Sequence, residues 1–413
     1  MRIVIANSRF LLGGSETYAV TVGEQLEQLG HTVTLFAGEA SKEGRELAAS
    51  RGLALGTCSP AELAERDDFD ALIAQDAAAA YGVASQREVP QVFVIHGFAS
   101  FEHPPQGLSP VPPVVVLSDR LADRAAAFAG RPEVVRLRQP IDLWRFKPTA
   151  PARERARRVL AFSNYLPPDR LAMLEAACGD LGLELTSMGA TSTTSLTPQQ
   201  RIADADIVVG YGRSVLEGMA AGRAAYVWDH AGGDGWMTPE TYPAIEANGF
   251  AGAATENIVG TERLREDFAA YRSELGPLGY DLVRKHHSAA RHAEELVGVL
   301  ARAQPPAVDP VNATFGILIR SEWRAEDDRI KVTAQLREKA AEVEGLAARL
   351  GEVGEAGDAE RRGRLAAEQR LQESERQLQE AHLRLQALFG SVSWRLTAPL
   401  RRLTAALRAL LGR

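Results

Sequence analysis

Short apolar runs alternate with longer amphipathic segments along the first 150 residues of the chain. Such runs are typical of strands in a parallel sheet, because helices cover both faces of the sheet and leave no polar side. The runs lie at residues 2–6, 32–36, 71–75, 91–95, 114–117 and 134–137, and helical patterns lie at 15–29 and 119–129. The alternation predicts an α/β lobe with a parallel sheet over residues 1–149.

The same pattern begins again after Pro148 and Pro151. Further apolar runs lie at residues 158–162, 183–187, 206–209 and 224–228. Residues 261–302 follow, and their richness in Ala, Leu, Arg and Glu favours helices. The sequence therefore predicts a second α/β lobe over residues 150–303.

Beyond the second lobe the composition changes. Residues 304–321 begin with a proline-rich stretch and are predicted to be a linker. Residues 322–390 carry a short heptad seam, formed by Leu371, Ser374, Leu378, Ala381, Leu385 and Leu388. Glycines between 351 and 363 interrupt the pattern, so two helical pieces are expected. The segment is either a coiled coil that joins chains into a homo-oligomer or a solvated helix or partly disordered arm.

The last segment, residues 391–413, differs in kind. Residues 389–413 contain five arginines and no acidic residue, and leucines recur at spacings of four and three. This pattern is typical of a cationic amphipathic helix. Such a helix either lies on an anionic membrane surface or packs its apolar stripe against a partner helix.

Composition narrows the function classes. The 413 residues are 45% hydrophobic and 24% charged, which is ordinary for a globular chain of two or three domains. A formal net charge of −7 argues against general nucleic-acid binding. The two cysteines, Cys58 and Cys178, lie far apart without metal-ligand spacing and indicate a reducing compartment with neither a disulfide nor a zinc framework.

The apolar runs are too short for membrane insertion. The run after Met1 is shorter than a signal peptide needs, and no later run reaches the roughly 18 residues of a membrane span. A cytoplasmic protein is therefore expected, and its tail offers a peripheral contact with the inner face of the cell membrane.

The clearest candidate site is the segment from Gly210 to Gly222, whose pattern predicts strand end, glycine turn, helix and glycine stop. Gly210 and Gly212 let the backbone approach a ligand closely, and Ser214 is placed to cap the helix. The helix N-terminus directs its amides and positive dipole end at the same point, which suits a phosphate. Glu217 is placed to accept hydrogen bonds from ligand hydroxyls. A sugar nucleotide offers both groups.

Two further features lie in the first lobe. Gly13 and Gly14 follow the first strand and precede a helix, where backbone amides would face a ligand or simply begin a helix. His96 comes at the carboxyl end of an apolar strand, which is where doubly wound sheets bind ligands. A structural role for this histidine is the alternative to contact with a donor or an acceptor.

These features together resemble a glycosyltransferase of the two-lobed GT-B architecture, most similar to the family 4 retaining enzymes that build cell-surface glycans. The resemblance covers roughly residues 1–300 and rests on four segments: Gly13-Gly14, the strand ending in His96-Gly97, residues 139–148 and the glycine turn at 210–222. It implies two Rossmann-like lobes, a nucleotide-diphosphate sugar as co-substrate, no metal or other cofactor, and a glycan or lipid-linked acceptor.

The resemblance also implies roles for single residues. His96 would contact the donor sugar and Glu217 the ribose hydroxyls. The diphosphate would be held by Gly212, Arg213 and Ser214, and the donor would be approached across the cleft by Gly13 and Gly14. Asp229 and the glycines at 232 and 233 resemble the family's loop after the next strand.

The chain departs from the family pattern in three places. Members typically carry two glutamates eight positions apart, and Val209 stands at the first, where a carboxylate normally contacts the transferred sugar. The arginine and lysine that neutralise the diphosphate lack their spacing at residues 162–170, so Arg170 or Arg213 is expected to replace them. At the hinge, Gln139-Pro140 replaces an asparagine-glycine pair.

These departures leave an alternative from another functional class open. A transferase-like body with weakened catalysis would act as a scaffold or binding protein in a polysaccharide-synthesis complex. The aromatic residues Trp228, Trp236 and Tyr242 are likewise open to two interpretations, since they would either stack on a base or sugar ring or belong to the core.

Overall fold

The computed structural model describes residues 1–97, 103–128, 130–164, 166–189, 195–255, 260–354 and 361–390. The chain divides into two units, Met1–Gly316 and Ile317–Arg413. The predicted amphipathic helix at 391–413 lies outside the described residues.

The described part of the first lobe forms a seven-stranded parallel sheet in the order β3-β2-β1-β4-β5-β6-β7. Its strands are β1 (Arg2–Phe10), β2 (Thr32–Ala40), β3 (Ala54–Thr57), β4 (Ala71–Ala74), β5 (Gln91–Ile95), β6 (Val114–Val116) and β7 (Val134–Arg136). Its helices are α1 (Gly14–Gln28), α2 (Lys42–Ala49), α3 (Pro60–Ala64), α4 (Ala77–Ala84) and α5 (Asp119–Ala126). The chain order reverses between β1 and β4, so their carboxyl ends flank a topological switch point, where such sheets bind ligands.

The described part of the second lobe forms a five-stranded sheet in the order β12-β11-β10-β8-β9. Its strands are β8 (Arg158–Phe162), β9 (Glu184–Met188), β10 (Ile207–Gly210), β11 (Ala224–Asp229) and β12 (Gly232–Trp236). Its helices are α6 (Pro168–Asp180), α7 (Pro198–Asp204), α8 (Arg213–Ala220), α9 (Tyr242–Asn248), α10 (Thr261–Ala269) and α11 (Leu275–His286). The switch point of this sheet lies between β8 and β10.

The predicted two α/β lobes are confirmed, and each of the ten apolar runs coincides with a strand. Two strands were missed. β3 is a short strand at the edge of the sheet, and its residues are only partly buried, so it lacks an apolar run. β12 pairs antiparallel with β11, although its sequence Gly-Gly-Asp-Gly-Trp indicated a loop. The glycines at 232 and 233 therefore belong to a strand.

The helix that ends the predicted second lobe covers the first lobe. α12 (Ala289–Arg302) packs against α1, with Ala293, Leu296 and Leu300 buried. Tyr18 of α1 lies 2.8 Å from His292 of α12 through its hydroxyl and Nε2. Residues 289–302 thus belong to the surface of the first lobe. From the sequence they were expected in the second lobe, because the apolar stripe of a helix does not reveal which sheet the helix covers.

Two buried histidines hold the segment between β7 and β8 that connects the lobes, residues 137–157, which we call the crossover. His292 donates from Nδ1 to the carbonyl oxygen of Arg138, and His287 donates from Nδ1 to that of Gln139, both at 2.8 Å. Burial lowers the pKa of His292 to about 4 and that of His287 to about 3, so both rings are neutral near pH 7. A neutral ring that donates from Nδ1 accepts at Nε2, and for His287 the Tyr242 hydroxyl donates there at 2.9 Å.

The predicted linker is bound to the first lobe and is partly helical. α13 (Val311–Gly354) begins within it. Just before and inside the first turn, the backbone N–H of Asp309 and the side-chain amide of Asn312 donate to the carbonyl oxygen of Ala84, at 3.2 and 3.3 Å. The segment after α12 is therefore bound to the surface of the first lobe.

The second unit contains the two helical pieces that the glycines predicted. They are the greater part of α13 and α14 (Arg361–Gly390). The hydroxyl of Ser374 on α14 hydrogen-bonds to the carboxylate of Glu342 on α13. The seam positions Ser374 and Ala381 are buried within the single chain. Within the described part of the chain, no helix combines the length and apolar character that a membrane span requires.

Candidate functional site

Polar side chains from three neighbouring strands form a hydrogen-bonded row at the carboxyl edge of the first sheet. Gln75, which follows β4, donates from Nε2 to Oδ1 of Asn7 on β1 at 2.7 Å. His96, which follows β5, hydrogen-bonds through Nε2 to Oε1 of Gln75. Sequence reasoning found His96 but missed Asn7, which directly follows an apolar run, and Gln75, which ends one. The row lies at the switch point of the sheet.

The environment of His96 determines what this side chain is able to do. Desolvation, together with smaller electrostatic contributions from His292 and Arg213, lowers the pKa of His96 to about 3. Its Nε2 proton is directed at Gln75, so Nδ1 carries the lone pair. A ring with so low a pKa is a poor general base near pH 7. His96 is therefore suited to accept a hydrogen bond from a hydroxyl group, and its partly exposed side chain keeps it accessible.

The loop that carries Gly13 and Gly14 already contains a negative charge. The carboxylate of Glu16 accepts hydrogen bonds from the backbone of Leu11 at 3.4 Å and from the hydroxyl of Ser15 at 3.0 Å. A Cβ on Gly13 would lie 2.8 Å from Oε2 of Glu16, whereas a Cβ on Gly14 would meet nothing within 4 Å. Gly13 thus makes room for Glu16, which compensates the dipole of α1 and weakens its attraction for a ligand phosphate.

The glycine turn of the second lobe lies at the switch point of the second sheet. Gly210 pairs with Phe162 in the register of β10 and β8. A Cβ on Gly210 would lie 2.7 Å from the carbonyl oxygen of Phe162 and closer still to Oγ of Ser214. Gly212 has a φ of +58° and donates its N–H to the carbonyl oxygen of Phe250 at 2.9 Å. Both glycines are required, one by space and one by its left-handed backbone.

Ser214 closes the turn and does not cap the helix. Its hydroxyl donates to the carbonyl oxygen of Tyr211 at 2.9 Å and accepts from the N–H of Tyr211 at 3.1 Å. Gly212 is the N-cap residue of α8, and no side chain caps it. The predicted capping role is wrong, because Ser214 lies inside the first helical turn. A contribution of Ser214 to phosphate binding would come from its backbone amide.

Arg213 connects the second lobe to the first. Its Nε donates to Oε1 of Glu217 at 2.7 Å. Its Nη1 donates to the carbonyl oxygen of Pro140 at 2.8 Å, and its Nη2 donates to the hydroxyl of Thr21 on α1 at 3.2 Å. The guanidinium is therefore held by the helix α8, the crossover and the first lobe together. We call these three contacts the Arg213 latch.

Glu217 lies in a buried ion pair. Burial raises the pKa of Glu217, while the charge and hydrogen bond of Arg213 and the charge of Arg51 lower it. Asp142 lies close enough to raise it, and Arg51 pairs with Asp142 at 3.2 Å. Only 4% of the Glu217 side chain is exposed, so a ligand hydroxyl would reach this carboxylate only if the Arg213 latch rearranged.

Further polar groups follow the strands of the second sheet. Ser163, after β8, donates its hydroxyl to the carboxylate of Asp229 at the end of β11. The backbone N–H of His230 donates to Asp229 at 2.6 Å, and the rings of His230 and Tyr211 lie 5.4 Å apart. Of these residues, sequence reasoning had noted Asp229 and Tyr211 as matches to the family pattern. Their position after apolar strands is the signal that would have found the others.

Arg170 is partly buried and is not a solvated helix residue. It lies in the first turn of α6, with its guanidinium 5.4 Å from the ring of Trp228. Its Nη1 is buried and finds no hydrogen-bond partner among the described residues. Because this N–H forms no hydrogen bond with a described residue and lies beside the last residues of β11, Arg170 remains a candidate for binding the diphosphate.

The remaining residues in question belong to the core. Val209 is 2% exposed and packs in an apolar cluster with Tyr226 and Trp228. The ring of Trp236 lies edge-on to Tyr226 at 5.0 Å. Tyr242 is buried in the other cluster of the second lobe. The core interpretation of the three aromatic residues is therefore the right one.

The two edges come together at Arg213. The ring of His96 lies 4.7 Å from that of Tyr18 on α1, and Arg213 hydrogen-bonds to Thr21, one turn further along the same helix, so the end of β5 and the start of α8 flank the same part of α1. The structure thus brings His96, Arg213 and Glu217 together with the glycine turn. Gly13 and Arg170 contact other groups, Glu16 and Trp228 respectively.

Comparison with known proteins identifies the fold. No protein-family model and no curated protein matches the sequence. A glycosyltransferase from Rickettsia africae ESF-5 matches with a TM-score of 0.55 at 12% identity, over 72% of this chain and 97% of its own. HepE from Anabaena, solved in complex with UDP-glucose, matches with a TM-score of 0.51 at 13% identity, over 73% and 99%.

The chain has the GT-B fold. Its two switch points then correspond to the two halves of a GT-B protein, with the row of Asn7, Gln75 and His96 on one half and the glycine turn on the other. At these identities the likeness concerns the fold, and the roles of single residues rest on their geometry. Membership of family 4 stays a prediction.

Proposed function

We propose that this GT-B protein is a glycosyltransferase of the hexosyltransferase type. It would transfer a sugar from a nucleotide-diphosphate sugar to a glycan or lipid-linked acceptor in polysaccharide biosynthesis. The observation that carries the proposal is that His96 and Arg213 contact the same part of α1, since this joins a hydroxyl-binding group to an anion-binding helix start. The UDP-glucose bound by HepE, a protein of the same fold, supports a nucleotide sugar as ligand.

The geometry suggests how the donor is held. Backbone amides at the start of α8 would bind the diphosphate, whose negative charge grows as the glycosidic bond breaks. Nδ1 of His96 would accept a hydrogen bond from a sugar hydroxyl. Entry of the ribose at Glu217 would release Arg213, and its guanidinium would then be available to the diphosphate. Metal independence and retention of the anomeric configuration are proposed from the resemblance to family 4.

Two observations favour a second candidate function. Val209 is part of the core, and Glu217 is engaged in a buried ion pair. A protein that binds nucleotide sugars but transfers them poorly would serve as a scaffold in a polysaccharide-synthesis complex. Both candidate functions require binding of a nucleotide sugar, and they differ in whether the bound sugar is transferred.

The test uses the full chain and a panel of nucleotide sugars, with binding measured by calorimetry and turnover by release of the free nucleoside diphosphate. We expect binding and turnover with at least one donor. Binding without turnover, to water or to any glycan acceptor, would favour the scaffold. Absence of binding for every donor would contradict both candidates.

Glu217→Gln tests the site itself. We expect about tenfold weaker binding of the best donor, because a hydrogen bond to a charged group contributes about 1.5–3 kcal/mol and the latch rearrangement offsets part of it. Glu262→Gln, at an exposed position of α10, is the matched control and should bind like the wild type. Equal donor affinity of the Glu217 variant and this control would refute the role of Glu217.

A further inference from the structure

A cavity of about 310 Å³ opens at the carboxyl edge of β6 and β7, beside the row that contains His96. Both lobes and α12 contribute charged side chains to its wall. Six of them are Asp119, Arg136, Arg138, Glu246, Arg291 and Glu295. Nothing in the proposed donor site uses these six side chains.

The position of the cavity follows from the strand order. β5, β6 and β7 are neighbours, and His96, Asp119 and Arg136 lie at their carboxyl ends. Adjacent strands lie about 4.8 Å apart, so the three residues span about 10 Å of one edge. His292 lines the cavity, and the ring of Tyr18 contacts both His292 at 5.3 Å and His96 at 4.7 Å, so these rings connect the cavity to the row. The cavity therefore adjoins the place where the transferred sugar would lie.

One part of the wall consists of ion-paired side chains. Arg136 pairs with Glu246 of α9, and also with Asp119 at 3.0 Å. Arg138 lies 3.4 Å from the same carboxylate of Glu246, which is 7% exposed. Because Glu246 belongs to the second lobe, the cavity is complete only when the lobes adopt this arrangement.

Another part of the wall consists of two charged side chains on α12. Arg291 and Glu295 lie one turn apart on α12 and line the cavity. Neither side chain forms an ion pair with a described residue. They are thus available as a donor and an acceptor to a ligand.

The charges indicate the class of ligand. Three guanidinium groups and three carboxylates line the wall, so their formal charges cancel and give no preference for an anion. A hydroxyl group both accepts from a guanidinium and donates to a carboxylate, and neighbouring hydroxyls on a ring use both partners. The volume lies at the lower end of the roughly 300–1,000 Å³ of ligand pockets, which suits a small ligand.

We propose that this cavity binds a neutral sugar of the acceptor through Arg291, Glu295 and the ion-paired wall of Arg136, Arg138 and Glu246. The acceptor sugar would then lie beside His96, with the donor on the other side. This inference rests on the proposed transferase function for its biological meaning, but the binding itself is measurable without turnover.

The experiment uses the full chain with methyl glycosides of neutral hexoses, and with glucuronate and inorganic phosphate as anionic probes. Binding is followed by ligand-observed NMR and calorimetry. The cavity variant is Arg291→Ala/Glu295→Gln. Its matched control is Arg284→Ala/Glu294→Gln, which makes the same chemical changes at exposed positions outside the cavity.

We expect at least one neutral glycoside to bind the wild type and the control alike, and to bind the cavity variant at least tenfold more weakly. If the enzyme turns over, the acceptor KM should rise in the cavity variant while the donor KM stays the same. Absence of binding by every neutral glycoside, unchanged affinity in the cavity variant, or preference for glucuronate or phosphate would each overturn the proposal.

Failure of this proposal is separable from failure of the proposed function. Donor binding and hydrolysis of the donor by water report on the donor site and not on the cavity. If these are present while neutral glycosides do not bind, the cavity proposal fails by itself. If no nucleotide sugar binds, the transferase proposal fails, and the glycoside measurements still decide what the cavity binds.

Discussion

Gly210 lies where two strands and a helix leave no space for a side chain. The carbonyl oxygen of Phe162 on one side and the hydroxyl of Ser214 on the other occupy the direction of a Cβ. Gly212, two residues later, has a left-handed backbone and open space around it. At the scale of single residues, the anion-binding turn therefore depends on two glycines for two different physical reasons. The sequence predicted both glycines, but not which constraint acts on which.

Gly210→Ala should lower the free energy of unfolding by about 1–3 kcal/mol, because the added methyl group overpacks against backbone that cannot move aside. Gly298→Ala in α12 is the matched control, since a Cβ there meets nothing within 4 Å. The control should be neutral or up to about 1 kcal/mol more stable. Urea denaturation measures both, and equal stability of the two variants would show that the turn is not tightly packed.

Thr21→Val should loosen the Arg213 latch, because valine keeps the shape of threonine but cannot accept the hydrogen bond from Nη2. If the latch must rearrange before a nucleotide binds, this variant should bind the donor a few-fold more tightly than the wild type. Thr32→Val, at an exposed position of β2, is the control. Calorimetry measures the affinity of each variant for the best donor. Unchanged or weaker binding would argue against competition between Arg213 and the ribose for Glu217.

The positions of the strands were predicted with more success than the lobes to which the helices belong. Buried parallel strands carry continuous apolar runs, so each run marked its strand. β12 was missed because three glycines conceal its pattern, and its pairing with β11 depends on tertiary contacts. α12 was assigned to the second lobe by its place in the chain, but it packs on α1 of the first. At this scale, local patterns predict an element and long-range contacts decide its partner.

The burial of His287 and His292 at the crossover predicts that the free energy of unfolding decreases in acid. Folding lowers the pKa of these rings to about 3 and about 4, from about 6.5 in the unfolded chain. Below pH 6.5 the unfolded chain therefore binds more protons than the folded one, so stability is full above this pH and falls as the pH decreases. We expect a loss of up to about 1.4 kcal/mol per pH unit for each such histidine between pH 6.5 and 5.

Unfolding by urea at pH 7.5, 6.5 and 5.5 checks this expectation. His292→Gln should be less stable at pH 7.5, and its stability should depend less steeply on pH than that of the wild type. His230→Gln, whose side chain is 42% exposed, serves as the comparison. A wild-type stability that does not change between pH 6.5 and 5.5 would contradict a neutral, buried crossover.

At the scale of the whole molecule, the site consists of residues from both lobes. Arg213 of the second lobe hydrogen-bonds to Thr21 of the first, and Glu246 of the second pairs with Arg136 of the first. The lobes therefore meet through charged groups on either side of the crossover. Since such pairs exchange partners more readily than an apolar interface, the arrangement is compatible with lobe movement on ligand binding.

The tail gives a separate prediction about the location of the protein. The arginines and leucines of residues 391–413 suit an anionic membrane surface or a partner helix, and the two alternatives are distinguished by vesicle binding. A chain that ends at Leu388 should lose binding to vesicles that contain anionic lipid, and binding of the full chain should weaken as the salt concentration rises. Neutral vesicles are the control. Equal binding of the two chains to anionic vesicles would refute the prediction.

The sequence by itself determined the two α/β lobes, the strands with apolar runs, the glycine turn and the candidate His96, because these depend on local periodicity and on residues that are neighbours along the chain. Only the tertiary structure decided that Glu217 is engaged by Arg213, that α12 covers the first lobe and that Trp228 belongs to the core. The cavity is the clearest case, since its charged wall combines positions from Asp119 to Glu295. No local pattern records such a combination, because the free energy that selects it arises from contacts between distant parts of the chain.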